Sequence, residues 1–196
     1  MNFLAAQARL AHQRYLNALD KLDHLIFDEM ESFEHSKLKP LSIPIFVTRK
    51  RKILAADVAQ MPAKGLIAEA ARKKYGYRAD HRPKVVQRLL TELKRHVSED
   101  LQVLSDQNPK YPVWIKTQFP NATHETTKGR RGCVTGQGEL KALQWDPLFA
   151  LNHTAAMLRA NMNRLFRKTW CTTKTPQGLK NHIDIYINFH NNVLTA

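Results

Sequence analysis

Cysteine is almost missing from this chain. Only Cys133 and Cys171 occur in 196 residues, far apart and without a partner motif, which excludes a disulfide framework and a cysteine-rich zinc module. Long apolar runs are missing too, so no segment is expected to span a membrane. Gln7, Arg9, His12 and Arg14 interrupt the N-terminal stretch where a secretory signal would need its apolar centre. There is no internal repeat, low-complexity tract or flexible linker. The glycine-rich stretch 129–138 is not closed by Gly-Lys-Ser/Thr, which excludes a P-loop. Acidic residues are scarce: 17 Asp+Glu stand against 31 Lys+Arg, a formal net charge of +14. What remains is a chain 43% hydrophobic, enough for one domain with a real core. Its excess of positive charge favours a polyanionic partner through counterion release. The expected class is a soluble intracellular protein that binds nucleic acid.

Periodicity then divides the chain. Residues 1–22 read as a helix with the apolar stripe Leu4, Ala8, Ala11, Tyr15, Leu19 and Leu22, so 1–24 is an N-terminal helical segment ahead of a domain at 25–196. Strands are expected at 25–34, 41–48 and 52–59, an antiparallel meander with the basic tetrad 49–52 as a solvated turn. Pro44 demotes the second strand towards an edge or a bulge. A short helix follows from Leu66 to Lys74, with Gly76 as its C-cap. A longer helix runs from Pro83 to Val97 on the stripe Val85, Val86, Leu89, Leu90 and Leu93. A fourth strand at 101–105 ends at Asp106, a helix covers 110–119, and a fifth strand lies at 122–127. Two helices, 147–169 and 175–192, finish the chain, parted at Thr175-Pro176. This order predicts an α/β protein with a ribonuclease-H-like mixed sheet, three antiparallel strands plus two further strands, flanked by helices. In that fold the first strand and the end of the fourth lie side by side at the sheet centre.

Two acids stand out against this frame. Asp28 interrupts the apolar strand Leu25-Ile26-Phe27-Asp28-Glu29-Met30, and Asp106 ends the run Leu101-Gln102-Val103-Leu104-Ser105-Asp106. A carboxylate placed in an apolar strand costs several kcal/mol unless a cation or hydrogen bonds compensate it. Two such groups meeting at one point suit Mg²⁺, a hard ion that prefers carboxylate oxygen. A pair of ions about 3.5–4 Å apart can clamp a phosphodiester. The alternative for Asp106 is a turn aspartate, which Asp-Gln-Asn-Pro also suits. Glu29 and Glu31 fall on the opposite strand face from Asp28 and are expected to be solvated. Asp57 is a weaker candidate.

Three blocks in this order resemble the catalytic domain of small bacterial insertion-sequence transposases, the enzymes named for an Asp-Asp-Glu triad. They are Phe27-Asp28-Glu29-Met30-Glu31-Ser32-Phe33, then Leu104-Ser105-Asp106-Gln107-Asn108-Pro109-Lys110-Tyr111, then Leu158-Arg159-Ala160-Asn161-Met162-Asn163-Arg164-Leu165-Phe166-Arg167-Lys168-Thr169. The resemblance covers roughly residues 25–192. It implies DNA cleavage and strand transfer using Mg²⁺ or Mn²⁺, two ions, held by Asp28, Asp106 and a third ligand. Registering Leu158-Arg159 on the family's Leu-Arg puts that ligand at Asn152 where the family pattern has Glu. Asp146 and Glu139 remain rival third acids. The resemblance also implies double-stranded DNA as partner (element ends and target), a homo-oligomer, and a bacterial cytoplasmic, nucleoid-associated location. Only about 24 residues precede the first strand, so an end-binding module is expected on a separate polypeptide, or else the chain is a truncated, inactive DNA-binding remnant. An unrelated ribonuclease-H-like nuclease would cleave without joining strands.

Basic side chains complete the expected DNA surface. Lys128, Arg130 and Arg131 lie in the glycine-rich loop, where the backbone can approach phosphate closely. Arg159, Arg164, Arg167 and Lys168 follow Asn152, with a solvated charged helix face as the alternative. The nine histidines form no metal spacing. His182 and His190 are expected to pack or cap, and His153 could assist the site. Trp114, Trp145 and Trp170 are expected to be core anchors.

Overall fold

Apolar residues on both faces of the first strand dictate a sheet covered on two sides. The computed structural model describes residues 1–128, 146–166 and 170–195. Along them run α1 (Asn2–Asn17), β1 (Leu22–Glu34), β2 (Ser36–Val47), β3 (Ile53–Ala56), β4 (Ala59–Gln60), α2 (Ala68–Tyr75), α3 (Arg82–Leu93), β5 (Val97–Asp106), α4 (Tyr111–Gln118), β6 (Thr123–Thr127), α5 (Phe149–Asn161) and α6 (Pro176–Phe189). The sheet order is β3-β2-β1-β5-β6, with β4 also paired to β2. β1, β2 and β3 are antiparallel neighbours, whereas β5 is parallel to β1 and β6 is parallel to β5. This is the ribonuclease-H-like arrangement, with β1 at the centre.

Two cores result. Leu25, Phe27 and Phe46 pack with Val86, Leu89, Leu90 and Leu93 of α3 and with Tyr111, Trp114 and Ile115 of α4. On the opposite face Ile26, Met30, Ile43 and Ile45 pack with Leu151 and Leu158 of α5 and with Leu179, Ile183 and Ile187 of α6. The period of 2 along β1 therefore puts Asp28 with Ile26 and Met30 on the α5 face, and Glu29 with Phe27 on the α3 face.

Several local expectations change. β1 begins at Leu22, because α1 ends at Asn17 rather than carrying its stripe to Leu22. Pro44 does not make β2 an edge, since β2 lies between β1 and β3. It sits where the neighbouring strand is interrupted: β3 pairs with residues 45–47, β4 with 41–42, and between them the Asp57 N–H donates to the Pro44 carbonyl at 3.4 Å. The missing proline N–H thus faces the break. Trp114 is a core anchor, but Trp170 is 99% exposed in the connection between α5 and α6. Trp145 lies outside the described residues.

Candidate active site

The parallel pairing of β1 with β5 builds the site. Phe27 is the Cα partner of Ser105, so Asp28 and Asp106 stand one step further along, side by side where β5 ends. Alternation turns Asp106 to the same face as Leu104, which packs against the α5–α6 core, as does Asp28. The two carboxylates thus share one face, one level and half-buried positions.

Burial is the main force on Asp28. It pushes the carboxyl up to about 6, and the nearby charge of Asp106 pushes the same way, while hydrogen bonds from the Glu29 N–H and the Tyr111 hydroxyl oppose them. Both bonds fall on Oδ1, at 2.6 Å and 3.0 Å. Oδ2 accepts no hydrogen bond from the described residues. Asp106 accepts the Asn108 N–H on its Oδ1 at 3.0 Å, the turn role its local sequence suits. That bond leaves its other oxygen for a further partner, so the turn and ligand roles coexist.

Two hard oxygen donors that repel one another and are partly stripped of water fit a divalent cation, which offsets both costs. Among the described residues no group of three or more His, Cys, Asp or Glu side chains is placed to hold a metal. Among the described residues a third protein ligand would have to be of another kind. Asn152 is in the first turn of α5, the helix packed on the carboxylate face. Its Nδ2 donates to Asp146 Oδ2 at 2.9 Å, while Asp146 Oδ1 accepts the Leu148 N–H at 3.0 Å. Asn152 and Asp146 are therefore one hydrogen-bonded pair at the start of α5. Glu139 lies outside the described residues.

Behind the pair stands a network that sequence reasoning missed. Glu29, expected to be solvated, has a side chain only 6% exposed. It accepts the Ser42 hydroxyl at 2.6 Å and the Tyr111 hydroxyl at 3.2 Å, with Arg82 Nη1 3.9 Å away. The reason is that β1 is central and both its faces are covered, so the face opposite Asp28 is no more solvated than its own. Tyr111, 1% exposed, reaches both Asp28 and Glu29. Burial and the negative charges of Asp28, Glu29 and Asp106 drive its phenol upward, so it stays a proton donor. Arg82 is fixed in turn by a two-pronged contact with Asp80, 2.9 Å and 2.7 Å, which holds Asp80 down at about 2. Phe27 and Glu29 sharing one face with alternation was the available signal.

The basic residues divide. Lys128 is exposed and follows Thr127, the β6 partner of Asp106, so it lies at the carboxylate end of the sheet. Arg159 sits on α5 two turns beyond Asn152. Arg164 instead reaches towards Gly178 in the first turn of α6. Arg130, Arg131, Arg167 and Lys168 lie outside the described residues. Asp57 is two strands away, buried and paired with Arg88 and Lys180. His153 lies at a tilt against Phe149, and burial, with the charge of Arg51, pushes its pKa down. His190 is buried and bonds the Arg51 carbonyl at 2.8 Å, the packing role expected of it.

No protein-family model matches the chain, and no curated protein matches it in sequence. Among solved structures, it is similar to the Mos1 transposase catalytic domain with raltegravir and Mg, at 13% identity and a TM-score of 0.45, covering 94% of this chain and 80% of that one. It is also similar to the catalytic domain of Mos1 mariner transposase, at 12% identity and a TM-score of 0.35, covering 98% of this chain and 91% of that one.

Proposed function

We propose that this chain is the catalytic domain of a DNA transposase of the Asp-Asp-Glu class, of the bacterial insertion-sequence kind, with Asn in the third position. The observation that carries this reading is the β1–β5 register, which sets Asp28 beside Asp106 in a half-buried position at the end of a strand. Asp28, Asp106 and the Asn152 carbonyl would hold Mg²⁺ or Mn²⁺, two ions in the working site. When bound, the metal lowers the charge at the phosphodiester and activates the attacking oxygen.

The chain's own residues prepare for that task. Tyr111 fixes the Asp28 carboxylate by donating to Oδ1, so that Oδ2 would be the oxygen left to hold a cation. Glu29, itself flanked by Arg82, holds the Tyr111 hydroxyl from behind. Asp146 orients the Asn152 amide by accepting from Nδ2, so that the carbonyl oxygen is the free end of the group. Lys128 and Arg159 would bind phosphates of the double-stranded substrate, along with Arg130, Arg131, Arg164, Arg167 and Lys168. The reaction is then governed by positioning and charge neutralisation. We assign the protein to the bacterial nucleoid, acting as an oligomer on element ends and target.

One observation favours a second reading, an inactive DNA-binding remnant: the third position brings no charge of its own, and no trio of acids forms among the described residues. A single assay separates the two. The chain is incubated with its element's terminal DNA and Mg²⁺ or Mn²⁺, and nicking and strand transfer are scored for wild type, Asp28→Ala and Asn152→Glu. The enzyme reading expects products from wild type and none from Asp28→Ala. Identical behaviour of those two proteins sinks it, and nicking without joining would indicate a nuclease.

A further inference from the structure

Between β4 and α3 the chain makes an excursion, residues 61–81, which gives Met61 and Ala71 to the core and leaves most of its other side chains exposed or half-buried. Its helix α2 buries only Ala71. Leu66 is fully exposed and Tyr77 is 82% exposed, with Tyr75 at 42%. Within 61–78 five cations, Lys64, Arg72, Lys73, Lys74 and Arg78, stand against the single acid Glu69. Arg78 is structural: it donates to the Met61 carbonyl and to Glu34, fastening the excursion to the sheet. Arg72, Lys73 and Lys74 are exposed and form no ion pair among the described residues.

Their position at the C-terminus of α2 has an ordinary explanation in the helix dipole. What sets this surface apart is that two exposed aromatic rings, Tyr75 and Tyr77, are interleaved with those cations. Lys39 and Lys74 place ammonium groups 5.6 Å and 5.4 Å from the Tyr75 ring centroid. Gly76 between the two tyrosines has φ of 74°, a conformation that favours glycine. Beside them is a mainly apolar cleft of about 330 Å³, lined by Leu38, Pro62, Ala63, Ala68, Tyr75 and Tyr77 with Glu69, Arg72 and Arg78 at its polar side, roomy enough for a base. Just beyond, Asp80 is paired with Arg82, which reaches Glu29 next to the carboxylates.

We propose that the excursion is a binding surface for an unpaired nucleic-acid strand, whose bases stack on Tyr77 and Tyr75 and whose phosphates meet Arg72, Lys73 and Lys74. Cations alone would serve a duplex equally well. Exposed ring faces serve only unpaired bases, because a duplex hides its base faces in the stack. The role of this surface in catalysis rests on the reading of the chain as a DNA-processing enzyme; the binding itself does not.

Binding is measured by fluorescence anisotropy of the full chain with a labelled oligothymidine of about 16 nucleotides, a duplex of the same length, and inorganic polyphosphate as a competitor without bases. Tyr77→Ala is expected to weaken oligothymidine binding about tenfold and to leave duplex binding within about twofold, while Tyr77→Phe retains both. Replacing Arg72, Lys73 and Lys74 with Gln should lower the slope of log K against log salt on the single strand by roughly 2. Equal losses on single strand and duplex after Tyr77→Ala, or no loss, overturn the proposal, as does failure of Tyr77→Phe to retain binding. Tyr77 is so exposed that its thermal unfolding should match wild type, which checks that folding is not the cause. A chain that shows the Tyr77 effect but never cleaves DNA overturns the catalytic reading and leaves this surface standing; cleavage without the Tyr77 effect does the reverse.

Discussion

In the proposed site Asp28 is a half-buried carboxylate, and the direction of its pKa shift says what holding it there costs. Burial and Asp106 raise its pKa to about 6 in the folded chain, against an ordinary carboxylate value near 4 when unfolded. The unfolded chain therefore gives up its proton first as pH rises. Stability from this group is fullest below about pH 4, falls through about pH 6 and is flat above, a loss on the order of 2–3 kcal/mol. Asp28→Asn removes the titration. The variant should melt several degrees above wild type at pH 8 without metal, with the difference closing at pH 4. Millimolar Mg²⁺ should narrow the gap at pH 8 by stabilising the wild type alone. Melting curves across this pH range are the check, and parallel profiles for the two proteins would show that Asp28 is not desolvated. Tyr111→Phe removes a bond that favours the charged carboxylate, so the wild-type inflection should move upward, at a stability cost of about 1 kcal/mol. Asp28 and Asp106 were legible in sequence because an acid in an apolar strand breaks a pattern. Glu29 was not, since alternation assigns a residue to a face without saying whether that face is covered. Tyr111 was not either: a buried hydroxyl shared by two acids on another strand is a three-dimensional fact.

Secondary elements were read more faithfully inside than at their ends. The strand carrying each aspartate, the helix following Asp106, and the break at Thr175-Pro176 all lie where periodicity and capping rules put them. Pro44 shows why a local rule fails: it excludes a ladder bond on one side, and β2 meets that condition at an interruption in its neighbour rather than at a sheet edge. Trp170 shows the other failure, because size predicts burial only for a residue that lies on a packed stripe. The start of α6 offers a clean test. Thr175 is extended and its hydroxyl accepts the Gly178 N–H at 3.1 Å, a single cap on a helix that supplies Leu179 and Ile183 to the core. Thr175→Ala should cost about 1 kcal/mol and Thr175→Ser only a fraction of that. Denaturant unfolding reads both, and equal stability of Ala and wild type would mean that water replaces the cap without loss.

For the whole molecule, the charge of +14 is a property of composition, and it makes a prediction independent of any catalytic residue. A chain this basic should bind duplex DNA without sequence preference, with Kd of roughly 10⁻⁴–10⁻⁶ M at physiological salt. Binding driven by released counterions must weaken as salt rises. If about six phosphates are neutralised, affinity should drop by roughly 10³ between 50 and 200 mM salt. The measurement is anisotropy on random duplex DNA over that range, with wild type and Asp28→Ala compared in the absence of divalent metal. Removing a negative charge from a chain this basic should leave binding equal or tighter, so Asp28→Ala must retain it. A flat salt dependence would mean that the excess cations face away from the bound DNA. In that case the topology would still bring Asp28 and Asp106 together, but the polyanion argued from composition would no longer be their substrate.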